Sequence, residues 1–339
     1  MALLTDHQLG MAQESTYGTA VTVSRFLPML ASTTHDVNLQ RVKSAGLQVG
    51  GLGYARSARQ TVGVPTYPLQ IDVPAQSKGI GLLLSWAAGT TTHTLVSGTT
   101  YQSVLTPTRT TVTPPTSFTT QLGIVETVSA GTVDAYTYAG CTVTGLTITC
   151  PEDGEATISV KALAKTLATG TALATASYAA APSIYHHDSG TATLGGTLTA
   201  PTTTVLGSVA APTGINVRSW SLEVDHGMVE RPIVGGYQQP AWGSATAKLS
   251  TQIEYDGTWW RTAMLAGSAL PFVGALTGGS LSSGVETLQV VVPSAVIDPG
   301  VLPKPTAGEV VVVDVEWQGM YDGTSQPWYI VHRTADTAL

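Results

Sequence analysis

The sequence predicts a mainly β protein built from two tandem β units, each flanked by one α-helix. Three observations carry this prediction: strand-like runs dominate the 339 residues, two segments alone have a helical pattern, and the order of elements repeats along the chain. Charged residues make up only 11% of the chain, against about 25% in an ordinary globular domain. Threonine, serine, glycine and alanine replace them, which indicates a surface largely covered by other protein, or a secreted β-protein.

The strand predictions rest on β-branched and tyrosine-rich runs separated by glycine, proline and Asp-Gly pairs. Pro151 to Gly154 lies between two such runs and predicts a hairpin turn. The Thr-rich patches 89–100 and 199–214 are interpreted as loops. The predicted strands cover residues 66–73, 117–125, 141–149, 156–163, 216–225, 244–255, 286–297, 309–317 and 326–333.

Two segments, 77–89 and 256–272, break the β pattern and predict one helix of about three turns each. Each has a glycine, Gly89 or Gly267, at which the helix is expected to end. We expect both helices to pack on a sheet through one apolar face. That face is formed by Ile80, Leu83, Leu84 and Ala87 in the first segment, and by Trp260, Met264 and Leu265, with Trp259 beside them, in the second.

The helices anchor a repeat of the whole pattern. Each helix follows one predicted strand and precedes three, and Gly89 and Gly267 lie 178 residues apart. An uncharged Ala/Thr-rich segment separates the two series. We therefore predict a first domain at residues 1–166 with an N-terminal arm and a long loop, a linker at 167–182, and a second domain at 183–339.

Charge and composition exclude several functional classes. The net charge is −7 and the isoelectric point is near 5.4, whereas affinity for nucleic-acid phosphates needs clustered Lys and Arg. The apolar runs are far shorter than the roughly 20 residues of a membrane-spanning helix, and polar residues 6–8 stand where a signal peptide needs an apolar core. The two cysteines, Cys141 and Cys150, are expected to be unbridged strand residues in a reducing compartment.

A search for catalytic or ligand-binding motifs predicts no enzyme, no catalytic residue, no cofactor and no metal site. The histidines in "HHD" at 186–188 would point to opposite faces of a strand, and "GGLG" at 50–53 lacks the strand–helix context of a dinucleotide-binding loop. No G-x-S-x-G motif occurs, and the carboxylates near 151–155 and 222–227 suit strand ends. Trp259 and Trp260 are either a sugar-binding platform or core; their helical spacing favours core.

One segment, 38–60, is positive and glycine-rich in an otherwise acidic chain, and no acidic residue lies between Asp36 and Asp72. Two interpretations are open: a solvated hairpin loop, or an arm that docks on the acidic surface of a neighbouring copy, where charge complementarity would fix the register between subunits. Its basic residues are Arg41, Lys43, Arg56 and Arg59.

Three stretches carry a resemblance to a known family: "GMAQESTYGTAVTVSRFLP" at 10–28, "NVRSWSLEVDHGMVERPIVGG" at 216–236 and "GSATAKLSTQIEYDG" at 243–257. Together with the order of strands and helix, they make the chain similar to the tail tube proteins, or major tail proteins, of long-tailed, siphovirus-type bacteriophages. This resemblance implies a β-sandwich or barrel in each unit, subunit rings whose strands line a lumen, and stacking of these rings into the conduit for the genome.

The resemblance also implies partners and a location. Most such rings are homohexamers, but members with two tube domains per chain build trimeric rings with pseudo-sixfold symmetry, which the repeat favours here. The implied partners are further copies of the chain and the tape-measure and tail terminator proteins, with no membrane. DNA would pass without sticking. The implied location is the virion tail, assembled in the cytoplasm of the host bacterium.

Two sets of residues follow as candidates. A conduit lined with acids repels DNA phosphates, and the strand acids that are candidates for the lumen are Glu223, Asp225, Glu254, Asp314 and Glu316. The candidates for contacts between subunits are Glu14 and Tyr17 in the N-terminal arm, with Glu14 paired to the basic loop, and Arg41, Lys43, Arg56 and Arg59 in that loop. The alternative is a secreted or surface Thr-rich β-sandwich module for adhesion or carbohydrate binding.

Overall fold

A computed structural model describes residues 5–39, 41–43, 60–107, 115–126, 132–255, 257, 259–298, 302–303 and 310–339. Within these ranges the chain forms 23 β-strands and two α-helices. The prediction of a mainly β protein is therefore confirmed, and the two helices lie inside the two segments that broke the β pattern.

The elements follow one another in two series. The first contains β1 (Gln8–Gln13), β2 (Arg25–Leu27), β3 (Thr34–His35), β4 (Arg41–Lys43), β5 (Gln60–Val62), β6 (Tyr67–Pro74), α1 (Gly81–Ala88), β7 (Gly89–Ser97), β8 (Thr100–Pro107), β9 (Phe118–Val125), β10 (Val133–Cys150), β11 (Thr157–Ala164) and β12 (Thr166–Ala168). The second contains β13 (Gly190–Leu194), β14 (Thr197–Thr199), β15 (Ser208–Ala210), β16 (Val217–Asp225), β17 (Val229–Ile233), β18 (Gly236–Ala241), β19 (Thr246–Glu254), α2 (Trp259–Ala266), β20 (Leu270–Ser280), β21 (Val285–Ile297), β22 (Val312–Gly319) and β23 (Tyr329–Thr334).

A central antiparallel sheet runs through both series in the order β3-β6-β11-β10-β16-β19-β22, and the end of β21 pairs with β22. The series join at β10 and β16, where six residue pairs from Gly145↔Asp225 to Cys150↔Trp220 are in register. In this sheet, alternate residues face the core and a polar surface, as in β19, where Leu249 is buried and Lys248 is not.

Two outer sheets complete the sandwich. The first has the order β12-β10-β9-β1-β2, and the second has the order β7-β8-β23-β21-β20-β13. The long strands β10 and β21 each take part in the central sheet and in one outer sheet, with irregular register near Tyr138 to Cys141 and near Phe272. Because β7 and β8 come from the first series and β23 from the second, this sheet also joins the two.

A single core lies between these sheets. It includes Ile71 and Ile148 of the first series and Leu249 and Trp317 of the second, each almost fully buried. The expected apolar face of α1 is confirmed, since Ile80, Leu83, Leu84 and Ala87 are all buried. In α2 the expectation is half right: Trp260 is buried, but Leu265 is 78% exposed.

Most strand pairings of the first series have a counterpart in the second; β1–β2, β7–β8 and β14–β15 do not. Six pairings of the first series, β1–β9, β9–β10, β10–β11, β11–β6, β6–β3 and β10–β12, have the counterparts β13–β20, β20–β21, β21–β22, β22–β19, β19–β16 and β21–β23. The hairpins β4–β5 and β17–β18 occupy equivalent places in the order. The repeat thus extends to topology, shifted by one strand from the expected alignment because β20 had not been expected.

The segment predicted as a linker, 167–182, begins in β12 and then lies along the first outer sheet. In the side chain of Gln121, Nε2 donates to the carbonyl oxygen of Ala172 over 3.1 Å, and Oε1 accepts from the backbone amide of Ala174 over 2.9 Å. The ring of Tyr178 packs edge-on against Phe26. The division of the chain at this segment into two domains stays a prediction.

Candidate assembly surfaces

The N-terminal stretch is a strand of the chain's own first outer sheet. Leu9 to Ala12 are buried, and β1 pairs with β2 on one side and with β9 on the other. Residues 8–13 thus have their pairing partners within the chain, and contact of the N-terminal arm with another subunit stays a prediction.

Glu14 follows this strand and lies at the centre of a buried hydrogen-bond cluster. One carboxylate oxygen, Oε1, accepts from Thr119 Oγ1 over 2.9 Å and from the amide of Gly140 over 2.8 Å. The other, Oε2, accepts from Ser117 Oγ and from the amide of Gly18, both over 2.9 Å. The side chain expected to meet a basic loop therefore binds donors of its own chain.

Two glycines make this cluster possible. Gly18 and Gly140 have φ angles of +76° and +70°, a conformation that costs other residues energy. A Cβ on Gly140 would lie 3.1 Å from the Cα of Gly18, so the backbones approach closely enough for both amides to reach Glu14. Beside them Lys165 Nζ lies 4.9 Å from the ring centroid of Tyr17. Burial, with smaller contributions from Cys141 and Glu14, raises the pKa of Tyr17 to about 12.

Strands β4 and β5 lie near the two ends of the basic segment and form an antiparallel hairpin, in which Arg41 pairs with Val62 and Lys43 with Gln60. All six residues of the two strands are exposed, including Arg41 and Lys43. Val42 and Val62 expose 56% of their surface each; because Val42 is opposite Thr61 and Val62 opposite Arg41, the two valines lie on opposite faces of the hairpin. Arg56 and Arg59 lie outside the described residues.

The five strand acids all lie on the polar face of the central sheet. Within β16 and β22 they alternate with buried residues, and Glu254 shares the side of β19 that carries Lys248 and Gln252. The strand register places all five on the same face; that this face lines a lumen stays a prediction. The set consists of Glu223 and Asp225 on β16, Glu254 on β19, and Asp314 and Glu316 on β22.

Two lysines share this face, and both form ion pairs. Lys161 Nζ lies 3.5 Å from Glu223, and Lys248 Nζ lies 2.7 Å from Glu316. Five carboxylates against two ammonium groups give this set a net charge of −3. Neither lysine was singled out from the sequence, because only the pairing of strands distant in sequence brings them beside the acids.

The central sheet has two open edges. Thr34 and His35 of β3 pair with β6 on one side, and no described strand pairs with their other side. At the opposite end, Val296 and Ile297 pair only with β22 among the described strands. Exposed strand edges of this kind promote association with other chains.

The search of the described residues for reactive groups gives few features. They contain no group of three His, Cys, Asp or Glu residues placed to bind a metal ion. Cys141 and Cys150 are free, and burial raises their pKa values to about 12 and about 11. Trp260 is buried in the core, so its ring forms no exposed platform. Neither described helix has the length and hydropathy that crossing a membrane requires.

These features define a mainly β protein whose notable described surfaces are sheet edges, exposed hairpins and an acidic sheet face. A comparison with known families matches the phage tail tube protein family over residues 5–319. The chain therefore belongs to this family and is a structural protein of a phage tail tube. No curated protein sequence matches the chain.

Proposed function

We propose that the chain polymerises into closed rings and that these rings stack to form the tail tube, the conduit through which the genome is delivered. The observation that carries this proposal is the central sheet, which is continuous through both series and ends in an open strand edge on either side. Edge-to-edge pairing of successive copies would extend the sheet, and such head-to-tail contacts close into rings.

The ring would contain three copies of the chain. Each copy supplies two units with matching strand pairings, so three copies supply six units and give pseudo-sixfold symmetry. This proposal takes residues 1–166 and 183–339 as the two tube-type domains. The Arg41 and Lys43 hairpin would contact a neighbouring subunit.

The polar face of the central sheet would line the lumen. The five strand acids and the two lysines described on it sum to −3, and both of these lysines are paired with glutamates. Such a wall attracts no phosphates, because binding would require cations that release counterions from DNA. The tube would meet the tape-measure and tail terminator proteins in the virion tail, after assembly in the bacterial cytoplasm.

Electron microscopy of the purified protein tests the ring and its symmetry. We expect rings or tubes with three copies of the chain per ring. Six copies per ring would refute the duplicated arrangement. A monodisperse monomer that binds glycans would refute the tail-tube proposal in favour of an adhesion module.

A charge reversal tests which face lines the lumen. The double variant Asp225→Lys and Asp314→Lys changes the set from −3 to +1, and we expect its tubes to retain DNA that nuclease cannot reach, with retention lost at high salt. The matched control reverses two exposed acids outside this face, Asp134 and Asp188. If only the control variant protects DNA, the proposed orientation is wrong.

A further inference from the structure

We infer that the contact between the two series inside one chain is repeated between neighbouring chains, with Thr34–Asp36 of one copy pairing with Val296–Asp298 of the next. This inference rests on the ring proposed above and adds the residues and the strand register of its subunit interface. The occupant of each open edge is thus a second copy of the same chain.

The internal correspondence gives the register. The glycines that end the helices, Gly89 and Gly267, are 178 residues apart, and the same offset places Ile71 on Leu249. Across the sheet, Ile71 is opposite Val160, and Val160 is opposite Leu146 on the next strand. In the same way, Leu249 is opposite Trp317, and Trp317 is opposite Ile297. Leu146 and Ile297 are therefore equivalent.

The other edge is aligned in the same way. The offset of 178 places Leu69 on Ala247; Leu69 pairs with His35, and Ala247 pairs with Val224. His35 is therefore equivalent to Val224.

Within the chain Leu146 is directly opposite Val224. The equivalent pair between chains is Ile297 of one copy and His35 of the next. It is flanked by Val296 opposite Asp36 and by Asp298 opposite Thr34.

Contacts within the chain hold the edge of β3 in an extended conformation that can accept a further strand. His35 Nδ1 lies 2.8 Å from the hydroxyl of Tyr138, which fixes the ring on the side of its own chain. Beyond the strand, the amides of Asp36 and Asn38 donate to the carbonyl oxygens of Pro68 and Thr66. The backbone of residues 36–38 is therefore already extended along β6 in the single chain.

The hairpins supply a second, independent match. Inside the chain, β17–β18 lies beside the end of β11: Glu230, Arg231 and Tyr237 share one cleft with Leu163 and Ala164.

Val160 and Trp317 are equivalent residues of the two series and lie 157 residues apart. The same offset makes Met320 equivalent to Leu163 and Tyr321 equivalent to Ala164. Met320 and Tyr321 expose 45% and 65% of their surface, and each face of β4–β5 carries one exposed valine, Val42 or Val62. The hairpin β4–β5 of one copy would cover Met320 and Tyr321 of its neighbour, burying apolar groups on both sides.

Cysteine cross-linking in assembled protein tests the register. The double variant Asp36→Cys and Val296→Cys places two thiols directly opposite each other, about 4.5–5.5 Å apart at Cβ. Under mild oxidation or with a short bismaleimide we expect dimers and trimers, with no species above three chains. The natural cysteines are buried, so wild-type protein treated identically is the background.

The matched control shifts the pair by one residue, as Asp36→Cys with Ile297→Cys. A shift of one residue turns the second side chain to the opposite face, so we expect at most one-fifth of the cross-linked product.

Tubes that cross-link equally in both variants, or only in the control, would overturn the register while leaving the tail-tube function intact. Chains that form no ring under any condition would overturn both proposals. A ladder that continues to six chains would support the pairing and refute the three-copy ring.

Amide hydrogen exchange on the wild-type chain covers the case in which the variants do not fold. We expect the amides of 34–36 and 296–298 to be protected at least tenfold more in tubes than in unassembled chains, with Thr197–Thr199 as an internal reference. Equal exchange of both segments in the two states would overturn the inference.

Discussion

Replacement of Glu14 by alanine is expected to destabilise the chain severely. The carboxylate is 6% exposed and accepts four hydrogen bonds, two at each oxygen. The hydroxyls of Ser117 and Thr119 can rotate toward other acceptors, but the amides of Gly18 and Gly140 are fixed by the backbone. Each buried donor left without an acceptor costs about 1–3 kcal/mol, so Glu14→Ala should lower the free energy of unfolding by about 2–6 kcal/mol.

The isosteric variant Glu14→Gln separates hydrogen bonding from packing. It keeps one oxygen that accepts two bonds and turns an NH₂ group toward the other two donors, so we expect roughly half the loss. Urea denaturation of the unassembled chain, followed by tryptophan fluorescence, measures both changes.

Glu223→Gln is the matched control, since it alters a glutamate whose side chain is 49% exposed and forms one ion pair. We expect a change below about 1 kcal/mol there. A loss of less than about 1 kcal/mol for Glu14→Ala would refute the role assigned to the cluster.

Three further predictions concern pH, cooperativity and assembly. Burial lowers the pKa of His332 to about 4, below its value near 6.5 in the unfolded chain, so stability should be full above pH 6.5 and fall by up to about 3 kcal/mol toward pH 4; His332→Leu should flatten this dependence in urea titrations at several pH values. Ile148→Ala, in the strand that joins the two series, should cost about 2–5 kcal/mol and leave a single calorimetric transition, whereas two separate transitions would contradict a shared core. Val42→Asp should abolish tubes in micrographs with unchanged melting of the free chain, while Val205→Asp, at an equally exposed valine, should leave tubes intact.

The sequence predicted best the strands that have one apolar and one polar face. For β16 and β19 the expected ranges agree with the structure within two residues at each end, because alternation is visible wherever one face is buried. β1 lacks this signal because Leu9, Gly10, Met11 and Ala12 are all buried.

The sequence did not predict some other strands. Either pairing with a strand distant in sequence stabilises them, or neighbouring residues hide their alternating pattern. β7 and β8 consist largely of threonine and polar residues, and β8 is stabilised by pairing with β23, more than 200 residues later. The helical pattern expected up to residue 272 and the pair Gly278-Gly279 obscured β20, which shifted the predicted repeat by one strand.

The candidate surfaces were predictable in part. The acids on the polar face follow from strand parity once the pairing is known. The cluster around Glu14 could not be predicted, since three of its four donors lie more than 100 residues away in sequence. Sequence spacing carries no information about such contacts.

The low proportion of charged residues in the chain is also seen on the polar face of the central sheet. Its polar face carries hydroxyl residues such as Thr147, Ser221 and Ser250 between a few charges, which gives a hydrated surface without long flexible cations. Each lysine on the described part of this face has a glutamate within 4 Å, so passing DNA would meet no unpaired ammonium group there. In the proposed orientation, with this face toward the lumen, the pairing of the cations matters more than a large negative charge. One free cation per unit, repeated along a stacked tube, would add up to strong counterion-release binding of DNA.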